Sequence, residues 1–244
     1  MRCKLCELDR PLQRSHIIPE FLYKSMYDDL HRFHVISAAV DQPDSMEQKG
    51  LREPLLCGEC ETKLSRWESY AHDVLTGGIE LHYRKKGRSV IVDGFDYAKM
   101  KLFQLSILWR AGVSSLQLFS HVDLGAHEPK LRQMLADETP GDAAAYGCVI
   151  FGLIDDEGKT ATNLIVQPER IKMGAHVGYR FIFGGFAWYF VVSSRKPTED
   201  FSVGFLTREG RLVFTIKNIF DTALIREFGE RRFQLGRSVH DKQN

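Results

Sequence analysis

The chain has 244 residues, of which 43% are apolar and 27% charged, with 33 Lys+Arg against 32 Asp+Glu, 16 Phe and five cysteines. So many apolar and aromatic side chains exclude a disordered or collagen-like chain, and a formal net charge of +1 excludes a global pull on nucleic acid, leaving only a local patch for that purpose. No apolar run reaches the roughly 18 to 20 residues of a membrane helix, and the charged, cysteine-bearing start Met1-Arg2-Cys3-Lys4-Leu5-Cys6 lacks the apolar region of a signal peptide, so the expectation is a soluble, cytoplasmic protein with no membrane partner.

In chain order, residues 1–80 read as a small cysteine-framed module and 81–244 as a larger domain. Cys3-x-x-Cys6 opens the module. Pro19 to Tyr27 predicts a helix, with Pro19 at a first helical position and Phe21, Leu22, Ser25 and Met26 at near-helical spacing. His34 to Ser37 reads as a short strand and Asp41 to Gly50 as an exposed loop. Cys57-x-x-Cys60 then leads into a helix that ends at Gly77-Gly78, with Leu64, Trp67, Ala71, Val74 and Leu75 as its apolar stripe.

Arg88 to Val92, between Gly87 and Gly94, reads as a connecting strand. Asp96 suits the N-cap of a helix over Tyr97–Ala111, with Met100, Phe103, Ile107 and Leu108 on its buried face. A shorter helix follows at Pro129–Ala136. From about residue 146 to 216 the pattern is extended: Tyr146–Leu153, Asn163–Gln167, Tyr179–Phe183, Phe186–Ser193, Phe201–Leu206 and Arg211–Ile216 predict a mostly antiparallel sheet. Gly184-Gly185 suits a two-residue hairpin turn that needs positive φ twice. Ile219–Phe228 closes the chain as a helix. The fold class is therefore α+β.

Two C-x-x-C pairs supply four soft thiolates, enough for a closed tetrahedral Zn²⁺ shell of structural type, although the roughly 50-residue gap exceeds that of a minimal zinc ribbon. The competing reading is thioredoxin-like redox chemistry, which the absence of a βαβ context opposes. Cys148, in an alternating strand, reads as a buried small hydrophobe. The compact basic run Arg84-Lys85-Lys86 with Arg88 reads as a phosphate-contacting patch, and Arg226, Arg231 and Arg232 as a weaker one. No P-loop, dinucleotide fingerprint or G-x-S-x-G elbow is present.

Cys3-x-x-Cys6, then Ser15-His16-Ile17-Ile18-Pro19, then Cys57-x-x-Cys60-Glu61-x-Lys63 resembles the zinc-containing branch of the HNH, or ββα-metal, endonucleases. The resemblance covers about the first 70 residues and implies a treble-clef zinc module. It implies that His16 is the general base that deprotonates water for attack on a phosphodiester. It implies that a divalent ion, Mg²⁺ or Mn²⁺, stabilises the developing charge, with Glu61 in the place of the family's Asn or His ligand. The residue before the histidine, commonly Asp or His in that family, is here Ser15, and the family's central Asn has no counterpart. Glu20, Glu61, Glu68 and His72 remain as further ligands.

The resemblance therefore implies a metal-dependent endonuclease acting on DNA in preference to RNA, of a kind found in bacterial phage defence and mobile elements, with a protein partner or a second copy of the chain as a further partner. The alternative from another class is a zinc-dependent module that binds nucleic acid or protein without cleaving. A third is an effector subunit silent until a partner arrives.

Overall fold

A computed structural model describes residues 1–35, 45–195 and 197–221 of the chain. The first cysteine pair lies in a tight loop in which the Cys3 N–H donates to the Leu8 carbonyl and the Glu7 N–H to the Cys3 carbonyl, both at 3.0 Å. The chain then forms β1 (Leu12–His16), a 3-10 helix over Glu20–Met26, the antiparallel pair β2 (Arg32–Val35) and β3 (Ser45–Gln48), and β4 (Arg52–Cys57). Strand β4 pairs antiparallel with β1, from Leu12 opposite Cys57 to His16 opposite Arg52. It runs without a linker into α1 (Gly58–Thr76), whose end is closed by Gly77 at φ +81°, donating its N–H to the Asp73 carbonyl.

Two expectations change here. The segment read as a loop over 41–50 contains strand β3, because Met46 to Gln48 have Arg32 to His34 to pair with, and such pairing is invisible in a polar window. The helix read over Pro19–Tyr27 is a 3-10 helix. Residues 36–44 lie outside the described residues, as do the end of the strand read over 34–37 and the start of the loop.

Strands β5 (His82–Lys86) and β6 (Ser89–Asp93) form a hairpin, followed by α2 (Tyr97–Val113) and α3 (Glu128–Ala136). Asp96 caps α2 by accepting the Lys99 N–H at 3.1 Å. Strands β7 (Cys148–Ile154), β8 (Val166–Met173), β9 (His176–Phe183), β10 (Phe186–Val191) and β11 (Arg211–Asn218) complete a seven-stranded sheet of order β5-β6-β11-β7-β10-β9-β8. Its neighbours are antiparallel except β11 and β7, which run parallel. The turn between β9 and β10 has Gly184 at φ +62° and Gly185 at φ +80°, as a two-residue hairpin requires. The chain is thus α+β with a mostly antiparallel sheet.

The expected strand Phe201–Leu206 is not one: a single helical turn at Glu199–Ser202 runs into a bend. Its aromatic content serves as an anchor, since Phe205 is buried against Gly147 where no side chain would fit. The expected connector Arg88–Val92 becomes β6, a member of the sheet. At the carboxyl end, Ile219–Asp221 make one 3-10 turn; the rest of the expected helix and Arg226, Arg231 and Arg232 lie outside the described residues.

One continuous core contains Leu56 and Trp67 from the amino-terminal segment, Phe103 and Trp109 from α2, and Phe183 and Trp188 from the sheet. Helix α2 touches both α1 and α3 and meets the sheet where Phe103 lies edge-on to Trp188. A smaller cluster, Leu153, Ala161, Ile182, Ala187 and Ile219, lies on the other sheet face, as strand alternation dictates. No helix among the described residues is long and apolar enough to cross a membrane.

Candidate metal centre and histidine site

The four cysteines converge because β1 and β4 pair in register: this brings Cys57, at the mouth of α1, back beside the loop of Cys3 and Cys6, and Cys60 follows one helical turn later. Their sulfurs all lie within 4.8 Å of one another. Cys6 Sγ and Cys57 Sγ are 3.8 Å apart, close to the edge of a tetrahedron whose corners sit about 2.3 Å from a central zinc, roughly 3.8 Å. Cys3, Cys57 and Cys60 are buried, and the Cys57 N–H donates to Cys3 Sγ at 3.3 Å, the kind of outer-shell bond that orients a thiolate ligand. The donor set fits zinc.

The electrostatics agree. Burial raises the Cys57 thiol, but bonds from the Cys60 N–H and from the thiols of Cys60, Cys3 and Cys6 outweigh it and bring Cys57 down to about 7. Burial and the Cys57 neighbour push Cys60 up, and burial raises Cys6. One thiolate is tolerated and the next is resisted, the state that a divalent cation relieves when it displaces the protons. Arg10, ion-paired with Glu59, adds a positive charge at the rim.

His16 is the last residue of β1, at the end of the hairpin away from the cysteines. Its ring is half-buried, and Nε2 lies 2.8 Å from the Lys49 carbonyl. A carbonyl oxygen only accepts, so Nε2 carries the proton, and the neutral ring keeps its lone pair on Nδ1, which has no hydrogen bond among the described residues. Gly50, at φ +72°, makes room for the ring: a Cβ there would stand 3.0 Å from His16 Cδ2. Directly opposite His16 in the register is Arg52, on the same face of the hairpin. Arg52 and Arg14 make no ion pair among the described residues. Arg52 was not read from the sequence; the only clue would have been the pairing of β1 with β4.

Ser15 is turned the other way, buried, its Oγ accepting the Leu56 N–H at 3.1 Å. Alternation along β1 therefore sends Ser15 inward and His16 outward. Glu61 lies in the first turn of α1, half-buried, with a buried Oε1 that has no hydrogen-bond partner among the described residues. Glu68 is committed to the buried guanidinium of Arg110, 2.6 Å away. His72 bonds Asp73 through Nδ1 at 3.1 Å and packs edge-on to Phe21, and Glu20 is exposed. Among the described residues the four cysteines are the one group of three or more such side chains close enough to share an ion. The donors proposed for a second divalent ion are not gathered into a site.

Arg84, Lys85 and Lys86 fall on β5, an edge strand exposed at every residue, and Arg88 in the turn that follows. Arg84 pairs with Asp93 at 3.1 Å; Lys85, Lys86 and Arg88 make no ion pair among the described residues and face solvent. Cys148 is buried, and burial pushes its thiol up. Trp109, Trp188 and Phe190 are core residues. Comparison with known protein families, curated proteins and solved structures finds no match to this chain.

Proposed function

We propose that the chain is a zinc-stabilised endonuclease that hydrolyses phosphodiester bonds in DNA, with His16 as general base. The observation that carries this reading is a half-buried imidazole with its proton held on Nε2 by the Lys49 carbonyl and its Nδ1 without a hydrogen bond among the described residues, on the same strand pair that gathers the four cysteines. The order of cysteine loop, paired strands and helix supports the reading of a treble-clef, ββα-metal module. Zinc held by Cys3, Cys6, Cys57 and Cys60 supplies rigidity and no open coordination position.

Nδ1 of His16 takes a proton from water, the oxygen forms a bond to phosphorus, and the bond to the leaving sugar oxygen breaks, that oxygen gaining a proton from solvent. Arg52, opposite His16, and Arg14 on the same strand as His16 counter the phosphate charge. The exposed Arg84, Lys85, Lys86 and Arg88 hold the backbone of the duplex further out. Glu61, with its unpartnered oxygen, is the carboxylate available to Mg²⁺ or Mn²⁺, but the described donors do not form a site for such an ion, and no step is routed through it.

Nicking of supercoiled plasmid, measured without and with added Mg²⁺ or Mn²⁺, tests the reading. His16→Ala is expected to lose about 100-fold or more in rate while keeping its zinc. Binding of DNA with no cleavage under any of these conditions would replace it by the second reading, a zinc-dependent binding module, which the inward-facing Ser15 favours.

A further inference from the structure

A histidine at the last position of a two-stranded hairpin would ordinarily share the fraying of that end. Here the end is gripped from outside the cysteine-framed segment. Arg110, near the end of α2 and 1% exposed, donates from Nη1 to the His16 carbonyl at 2.7 Å and pairs with Glu68 Oε1 at 2.6 Å. The guanidinium is itself aimed by Ser106, whose carbonyl accepts from Nε at 3.2 Å and whose Oγ accepts from Nη2 at 3.3 Å. A few residues on, the Glu53 carboxylate accepts from the hydroxyls of Ser114 and Ser115 and from the Ser115 N–H. Glu53 stands opposite Ser15 in the register. At the end that carries His16, one strand is therefore tied to α2 and the other to the two residues that follow it.

Stability alone is a weak account of this arrangement. A buried ion pair usually adds little over apolar side chains of the same size, because desolvation offsets the attraction. We infer that Arg110 is a positioning residue for His16: it fixes the carbonyl, and hence the backbone, of the residue whose ring the Lys49 carbonyl and Gly50 orient. The inference rests on the nuclease reading for its catalytic consequence, and on geometry alone for the positioning. It makes the downstream helix part of the site.

The test uses the full chain with zinc bound. Arg110→Met alone leaves the half-buried Glu68 carboxylate, whose Oε1 is buried, without its cation and is liable to unfold, so the informative variant is the double Arg110→Met/Glu68→Met, with Arg110→Lys as a second. Zinc content and urea unfolding check folding; ¹⁵N NMR of the His16 ring reads the tautomer; plasmid nicking gives kcat and KM. The double variant is expected to hold zinc, to replace the single Nε2–H pattern by an exchange average, and to lose at least tenfold in kcat with KM unchanged, part of which Arg110→Lys recovers. A folded double variant with the wild-type tautomer and kcat overturns the inference. If the wild type does not nick DNA, the nuclease reading falls by itself and the tautomer decides: persistence of the single pattern overturns the positioning role, and its loss supports it. If the double variant does not fold, the same NMR comparison on Arg110→Lys decides.

Discussion

Gly50 and His16 meet at the scale of single atoms. A backbone φ of +72° costs an L side chain roughly 1 kcal/mol, and a Cβ at 3.0 Å from Cδ2 and 3.2 Å from Nε2 of His16 is also 3.2 Å from Tyr23 Cδ2, so it would crowd both rings at once. Gly50→Ala is therefore expected to destabilise the chain by about 1–3 kcal/mol and to lengthen the bond from Nε2 to the Lys49 carbonyl. Urea unfolding together with the His16 ring ¹⁵N shifts measures both; an unchanged midpoint and tautomer would contradict the close packing described. At this scale the His-Ile-Ile-Pro run marks His16 as a candidate, and the burial of Ser15 follows from strand alternation. Gly50 was read only as part of a loop, because nothing local says which ring its bare Cα will face.

The element that departs most from its sequence pattern is α2. Its apolar positions suggested one buried face, yet every residue from Met100 to Ala111 is buried, including Lys101, Gln104, Ser106 and Arg110, because the helix is enclosed by α1, α3 and the sheet. Lys101 Nζ donates to the Tyr146 carbonyl at 2.9 Å, and burial brings its pKa down to about 8. The unfolded chain binds this proton up to the ordinary range near 10.5, so stability rises with pH between about 8 and 10.5, and the gain is lost as pH falls through about 8. The gain is about 3 kcal/mol by the shift alone. Urea unfolding at pH 8 and pH 10, compared with Lys101→Met, isolates this group from the tyrosines: the wild-type advantage should grow with pH, and parallel profiles would show that Lys101 is not desolvated. A helical wheel cannot anticipate this, since burial on the polar side depends on three other elements arriving there.

For the whole molecule, the zinc cluster and the α2 clamp act at opposite ends of one hairpin. Removing the metal releases the loop of Cys3 and Cys6 from α1, and structural zinc sites contribute free energy comparable with the entire stability of a domain, on the order of 10 kcal/mol. Elemental analysis should find one zinc per chain. Chelation, or Cys6→Ser, is expected to lower the melting temperature sharply and to broaden the NMR signals of β1, β4 and α1, with loss spreading to α2 through the shared core. Unchanged melting after complete metal removal would show that the cluster does not hold the hairpin.

Features under short-range control could be read along the chain. The paired C-x-x-C spacings announced a tetrathiolate site; helical periodicity with Asp96 and Gly77 set the starts or ends of α2 and α1; and Gly184-Gly185 marked its hairpin, because backbone sterics act within a few residues. Long-range packing fixed the rest. The place of β5 and β6 in the sheet, the parallel pairing of β11 with β7, the opposition of Arg52 to His16, and the reach of Arg110 across 94 residues to the His16 carbonyl all depend on which faces meet when the core closes, and that is a property of the packed chain as a whole.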